Sequence, residues 1–339
     1  MKTSSVIAAV LLAAGPVAGL SPVRADAVSD FYKGKNVNAL VGVSAGGEYD
    51  LQLRLTARHI GKYIPGKPNV IPQNMTGATG LVMANFLYNV ALQDGTYIGL
   101  IQNGLPTSQA VGVDGVKFDA ARFQWIGSIA PTVETMVTWK TTGVTTIEQA
   151  RQTEVIVGAV GSSGITLSFP VMLNDLLGTR FKMVLGYTGS GALDLAMERG
   201  EVSGRAGSWS SMKASKPNWV ANKELNVLVY SGPTPKDLPG APSVNEFIRS
   251  AEDREVLDIV TAGDTLGHPF AAGPGAPPER VAALRKAFAD MLNDADFRKE
   301  AAVNNLEIDP VSAEVLSAAV NRALGASPAS KQRARKYFQ

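Results

Sequence analysis

Catalysis requires particular residue types at particular spacings, and this sequence offers few of them. It has no cysteine and only two histidines, His59 and His268, far apart in the chain. Thiolate chemistry is therefore absent, and a zinc site, which needs clustered His and Cys ligands, is not expected. The serines of Gly161-Ser162-Ser163-Gly164 lack the G-x-S-x-G spacing of a nucleophile elbow, and neither histidine lies near them in sequence. No H-E-x-x-H, Walker A or G-x-G-x-x-G pattern occurs. A carboxylate pair of the glycosidase kind leaves no sequence signature, so it stays open. The balance is against an enzyme and against a resident metal or cofactor.

What remains is binding chemistry, centred on Val41-Gly42-Val43-Ser44-Ala45-Gly46-Gly47-Glu48-Tyr49-Asp50. An apolar strand from Val37 to Val43 runs into a Gly-Gly turn and then a helix with apolar residues at Leu51, Leu55 and Ile60. The first N–H groups of a helix lack intrahelical partners, and the helix dipole places partial positive charge there, so an anion fits without a cationic side chain. The same residues also read as ordinary turn chemistry. Ser44, Ala45, Gly46, Gly47, Glu48, Tyr49 and Asp50 are the candidates of this loop. Asp50 either caps the helix and pairs with Arg54 at i+4 or touches the ligand.

The elements around this loop form a repeating pattern. Asn69 to Gln73 and Tyr97 to Ile101 read as strands, with a helix through Leu81, Phe86 and Leu87 between them. Strands alternating with single helices make βαβ units and a parallel sheet. Trp125 to Trp139, interrupted at Pro131, reads as a crossover into a second lobe. There the pattern restarts with a capping box at Thr145-Thr146-Ile147-Glu148, a buried strand at Val155–Val160, the turn Gly161–Gly164 and a helix from Ile165 to Leu177. Pro170 inside that helix predicts a kink or a late start. Strands at Lys182–Leu185 and Leu225–Tyr230 follow, and His268 to Ala272 reads as the return crossing. Pro277-Pro278-Glu279 opens the last helical region, with Pro in the permitted first turn.

This division makes residues 26–130 and 265–339 one discontinuous lobe, with residues 131–264 inserted as the second. Two crossings form a hinge, with a cleft between the lobes. Ligands of open parallel sheets sit beyond the carboxyl ends of the strands, so Ser44–Asp50 is expected to face Gly161, Ser162, Ser163 and Gly164. The two serines either cap their helix or reach the ligand. Tyr187, with Thr188 and Gly189 behind it, is placed to line the same cleft. Arg205, near the end of a further strand in Gly204-Arg205-Ala206-Gly207-Ser208-Trp209, is the best cation to offer a carboxylate a bidentate partner, or else a surface arginine. Asn103, after the third strand, is a rim candidate.

Bulk properties agree with an exported binding protein. The 339 residues suffice for two domains, and 45% hydrophobic with 18% charged residues is a globular composition. Lys2, the apolar run Val6–Leu12 and Val23-Arg24-Ala25 read as a secretory signal peptide over residues 1–25, cleaved near Ala25. Its removal takes away Lys2 and Arg24, leaving 30 of the 32 basic residues against 30 acidic ones. That near-neutral balance argues against nucleic acid and against an anionic membrane as partner. No later run of 18 apolar residues occurs, so no membrane insertion is expected.

Several segments in order resemble the periplasmic solute receptors of tripartite tricarboxylate transporters, the Bug family. They are Ala45–Asp50, Asn74-Met75-Thr76-Gly77-Ala78-Thr79-Gly80, Asp94-Gly95-Thr96-Tyr97, Tyr187-Thr188-Gly189, Leu238–Val244 and Ala271–Pro277. The resemblance implies an α/β, two-lobed type II periplasmic-binding-protein fold, each lobe a mainly parallel sheet flanked by helices. It also implies a small carboxylate (a di- or tricarboxylate, or an aromatic or amino acid) held by the two strand-to-helix loops, and delivery to a membrane permease by a monomeric receptor. Glu48 and Tyr49 depart from the family, which usually has two small residues there, and Thr76 and Thr79 replace the usual Pro and Gly. Glu48 thus either points to solvent or meets a cationic or amidated ligand group. A sensory partner of a membrane kinase is the alternative role.

Overall fold

The computed structural model describes residues 22–338 except Gly47, residues 161–163 and Pro239. The expected signal peptide therefore lies almost wholly outside the described residues, as do the candidates Gly47, Gly161, Ser162 and Ser163. The first helix, Pro22–Tyr32, begins just before the expected cleavage point.

Among the described residues eleven strands follow in chain order: β1 Asn36–Val41, β2 Asn69–Asn74, β3 Tyr97–Leu100, β4 Gln124–Ser128, β5 Glu134–Trp139, β6 Val155–Val160, β7 Phe181–Tyr187, β8 Gly204–Ser208, β9 Leu225–Ser231, β10 Pro269–Ala272 and β11 Val311–Ser312. They form two sheets, ordered β11-β4-β10-β3-β1-β2 and β7-β6-β8-β5-β9. The strand β1 shows why the first sheet is buried on both faces. Its Val37, Ala39 and Val41 pack with Leu53, Leu55 and Ile60 of the helix Glu48–Ile60, whereas Leu40 packs with Met83 and Leu87 on the other side. Alternate side chains of a strand point to opposite faces, so helices must cover both.

Both sheets are mixed, where mainly parallel ones were expected. β1 runs parallel to β2 and β3, but β10 is antiparallel to β3 and β4. Likewise β6 is parallel to β7 and β8, while β5 is antiparallel to β8 and β9. The cause is the crossings. The chain leaves β4 at the end of the first sheet where β1 and β3 also finish, and enters the second sheet from that side, so β5 must run against its neighbours. The same holds in reverse for β10, which read from sequence as the return crossing and is in fact a central strand.

The two crossings are joined to each other. Thr132 donates its N–H to the Asp264 carbonyl at 2.7 Å, and the His268 N–H reaches Ser128 Oγ at 3.0 Å. Gly267, at φ +58, presses so closely on Ala130 that a Cβ would stand 1.9 Å from its carbonyl oxygen. Only glycine combines that backbone with that proximity.

Two local expectations shift. The cap of the helix Ile147–Gln152 is Thr146, accepting from the Gln149 N–H, one residue later than the expected box. The helix Ile165–Leu177 runs unbroken through Pro170. The C-terminal segment, expected with the first sheet, packs instead on the second: Ala334 and Tyr337 share a core with Phe169 and Met172, and Arg333 bonds Asp175 at 2.6 Å.

Candidate functional site

The loop after β1 is held by its own acid. Asp50, only 4% exposed, accepts the Gly46 N–H at 2.9 Å, Arg54 Nε at 3.0 Å and Asn74 Nδ2 at 2.9 Å. Arg54 also donates to Asn74 Oδ1, and Asn74 donates to the Val43 carbonyl. These donors, Arg54 first, hold the Asp50 carboxyl down at about 2, well below the usual aspartate value. Of the two roles open to Asp50, the structure gives it the structural one. The Gly46 N–H consequently points inward, while Ser44 and Ala45 lie exposed at the end of β1. Asn74, which links the ends of β1 and β2, was not singled out from sequence.

Tyr49 and Asn103 turn toward the hinge. The Asn103 N–H donates to Tyr49 Oη at 3.1 Å, and Asn103 Nδ2 reaches the Gly263 carbonyl at 3.2 Å. The Tyr49 ring lies 4.4 Å from that of His268, and burial pushes its hydroxyl well above the usual tyrosine range. Glu48 is exposed and approaches His268 Nε2 at 3.6 Å. Burial lowers the His268 pKa, partly opposed by the Glu48 charge.

On the second sheet, β7 pairs Tyr187 with Val160, which sets the exposed Thr188 and the half-buried Gly189 beside the end of β6. Gly164 stands before the helix Ile165–Leu177 at φ +90, with nothing among the described residues within 4 Å of the position a Cβ would take. Arg205 is not offered to the cleft. It pairs with Val137 across the β5–β8 ladder, on the face covered by the helix Ser190–Glu198, and is 3% exposed. Its guanidinium bonds the buried Asp194 of that helix. Its charge is therefore neutralised inside the lobe, which corrects the expectation that it meets a carboxylate.

Two acids at the crossings were missed. Glu134 opens β5 opposite Ser208, the last residue of β8, so it sits where β6 and β8 finish. Asp264, buried on the return crossing, accepts from Ser231 Oγ. Burial pushes its carboxyl up to about 7. Burial first, then the Asp264 charge, also pushes the Glu134 carboxyl well above the usual range. The sequence did carry a signal for Glu134: it is the lone acid in the apolar run Val133–Trp139 that follows Pro131.

Two sheets joined by two crossings, with the loop and helix after β1 packed beside those crossings, give the two-lobed fold seen in periplasmic binding proteins. Among solved structures it is similar to a ligand-free TctC solute-binding protein from Polaromonas, at 19% identity and TM-score 0.70, over 90% of this chain and 98% of that one. It is also similar to MatC from Rhodopseudomonas palustris with bound malate, at 16% identity and TM-score 0.60, over 89% and 99%. A further Rhodopseudomonas palustris protein, solved with adipate, matches at 18% identity and TM-score 0.60, over 89% and 97%. No family model matches the sequence, and no curated protein matches it at a significant level. At these identities the likeness is one of fold.

Proposed function

We propose that this protein is a periplasmic solute-binding receptor that closes its two lobes over a small carboxylate and delivers it to a permease of the tripartite tricarboxylate type. The observation that carries the reading is the placement of the β1 loop. It lies at the carboxyl end of its sheet and beside the crossings, in a fold shared with the malate-bound and adipate-bound proteins. The ligand carboxylate meets N–H groups and helix starts from both lobes, with Ser44, Ala45, Gly47 and Glu48 on one side. Gly161–Gly164 and Tyr187–Gly189 serve on the other. Differential affinity for the closed state is the signal the permease reads. No catalytic step is assigned to any residue. Residues 1–25 direct the chain across the inner membrane and are removed, and the mature receptor acts as a monomer.

Calorimetry of the mature protein against di- and tricarboxylates, aromatic acids and acidic amino acids tests the reading; the absence of binding across that panel would overturn it. Gly47→Val, which crowds the loop N–H groups, is expected to abolish binding while the thermal midpoint stays in place. Deletion of the gene is expected to abolish cellular uptake of the bound acid.

A further inference from the structure

The two arginines nearest the argument are not free to answer a ligand's negative charge at the β1 loop. Arg54 is bound to Asp50 behind that loop, and Arg205 to Asp194 inside the second lobe. The basic side chain that packs against the start of the loop's helix is His268. It is 8% exposed, and among the described residues its one hydrogen bond is that of its backbone N–H to Ser128 Oγ, so neither ring nitrogen has a partner. A buried polar nitrogen left without a partner costs stability, and the place of this imidazole asks for another reason.

Its direction is fixed by contacts. The ring lies 4.4 Å from that of Tyr49, tilted by 57°, and the Tyr49 hydroxyl donates to the Gly267 carbonyl at 3.4 Å. The first turn of the helix Glu48–Ile60 is thereby bound to the return crossing. His268 Nε2 faces that turn, 3.6 Å from Glu48 Oε1, beyond a hydrogen bond but well within reach of its charge. The Glu48 carboxylate is folded back along its own helix, where Oε1 accepts from Gln52 Nε2 at 3.3 Å. Burial lowers the imidazole pKa and the Glu48 charge opposes it. Tyr49 keeps its proton, because burial raises its hydroxyl well above the usual range, and Asn103, Ser128, Ala130 and Pro131 bring no titratable group. The charge felt by His268 is that of Glu48, not of Asp264 on the same crossing or of Glu134 at the start of β5.

We infer that His268 and Glu48 are a charge-balancing pair of the binding site: His268 takes a proton from solvent when a carboxylate docks on the β1 loop, so that the solute is held together with one proton. This rests on the receptor reading above and deepens it. With the loop empty the imidazole is neutral, and Glu48 stands at its helix start, where the helix dipole favours an acid. A docked carboxylate adds its negative charge to that of Glu48, and the two together offset the burial cost of an imidazolium. Nε2–H then donates to Glu48, and the acid no longer repels the ligand. Glu48 thus has a purpose at a carboxylate mouth, as the fixed half of a pair whose other half is charged only when the site is full. The sign follows from the two states. The pKa of His268 is higher with the site full than with it empty, so affinity rises as pH falls through the interval between those values and is level on either side.

The test is calorimetry of the mature protein with malate, adipate, glutamate and 3-phenylpropanoate, whose carboxyls are ionised from about pH 6.5 to 8, in two buffers of different ionisation enthalpy. At least one acid is expected to bind with proton uptake near neutrality and to lose about threefold to tenfold in affinity across that range. His268→Gln is expected to bind it without uptake and with the pH dependence gone, and Glu48→Gln to reduce the uptake. Should these variants fold poorly, proton NMR of the wild type gives a second readout. The chain has two histidines, and His59→Gln, at the far end of the helix Glu48–Ile60, assigns the remaining imidazole signal to His268. Its titration is expected to move to higher pH on saturation with the tightest of the four acids. Binding without uptake, an unmoved His268 titration, or uptake that survives His268→Gln overturns this inference and leaves the carboxylate receptor standing. Failure of all four acids to bind also overturns it, and the receptor reading falls with it only when the wider panel above fails as well.

Discussion

Asp50 and Glu134 are acids of almost equal burial at the ligand ends of the two sheets, and their surroundings are opposite. Asp50 has a backbone N–H, a guanidinium and an amide directed at its oxygens, and its carboxyl is held down. Glu134 has a buried oxygen without a donor among the described residues, and its carboxyl is pushed up. Burial by itself does not decide the state of an acid; the donors gathered around it do. An acid that folding has furnished with donors stabilises the loop it sits in, and one left without them holds its proton more tightly.

The second lobe holds a cation, Arg205, on the opposite face of its sheet from Glu134, and removing that cation's own partner is the strongest way to break the contrast. Asp194→Ala leaves Arg205 buried and uncompensated and is expected to destabilise the protein by about 3–5 kcal/mol in urea unfolding. A loss below about 1 kcal/mol would show that Arg205 finds a second acceptor. Asp50→Ala strips the β1 loop of its acceptor and orphans the donors of Gly46, Arg54 and Asn74, with an expected cost of about 1–3 kcal/mol by the same measurement.

Gly46→Ala examines the same loop more finely. The backbone there is at φ +96 with nothing within 4 Å of the position a methyl group would take, so the cost is backbone strain alone, about 1 kcal/mol. A loss well above that would mean that the Gly46–Asp50 bond itself gives way.

The smallest effects are in the pH dependence, where the two acids have opposite signs. The folded-state pKa of Asp50 is depressed, so its contribution is present above the ordinary aspartate value of 3.8 and lost as pH falls toward about 2. Asp264 and Glu134 are raised, Asp264 to about 7, so the native state binds protons that the unfolded chain has released. Their contribution lowers stability as pH rises from about 4 toward 7. Thermal midpoints of wild type and Glu134→Gln across that range are expected to coincide at acid pH and diverge toward neutrality, with the variant the more stable.

The contrast between these acids also separates what was legible in the chain from what was not. The Asp50–Arg54 pair at i+4, the turn after β1 and the strands β2, β3, β6 and β9 were all readable, because each depends on neighbours a few residues away. Helical and strand periodicity, capping and turn chemistry are local, and the alternation of strands and helices with two crossings argued for two lobes. Asn74 completing the Asp50 cluster, Asp194 claiming Arg205, the antiparallel course of β5 and β10, and the packing of Tyr337 on the second lobe depend on how distant segments meet. Above all, sequence placed Glu134 in an apolar run but did not reveal that its buried oxygen lacks a donor among the described residues. Whether a buried acid has one is settled by which chain segments close around it, and here those segments come from both sides of the crossings.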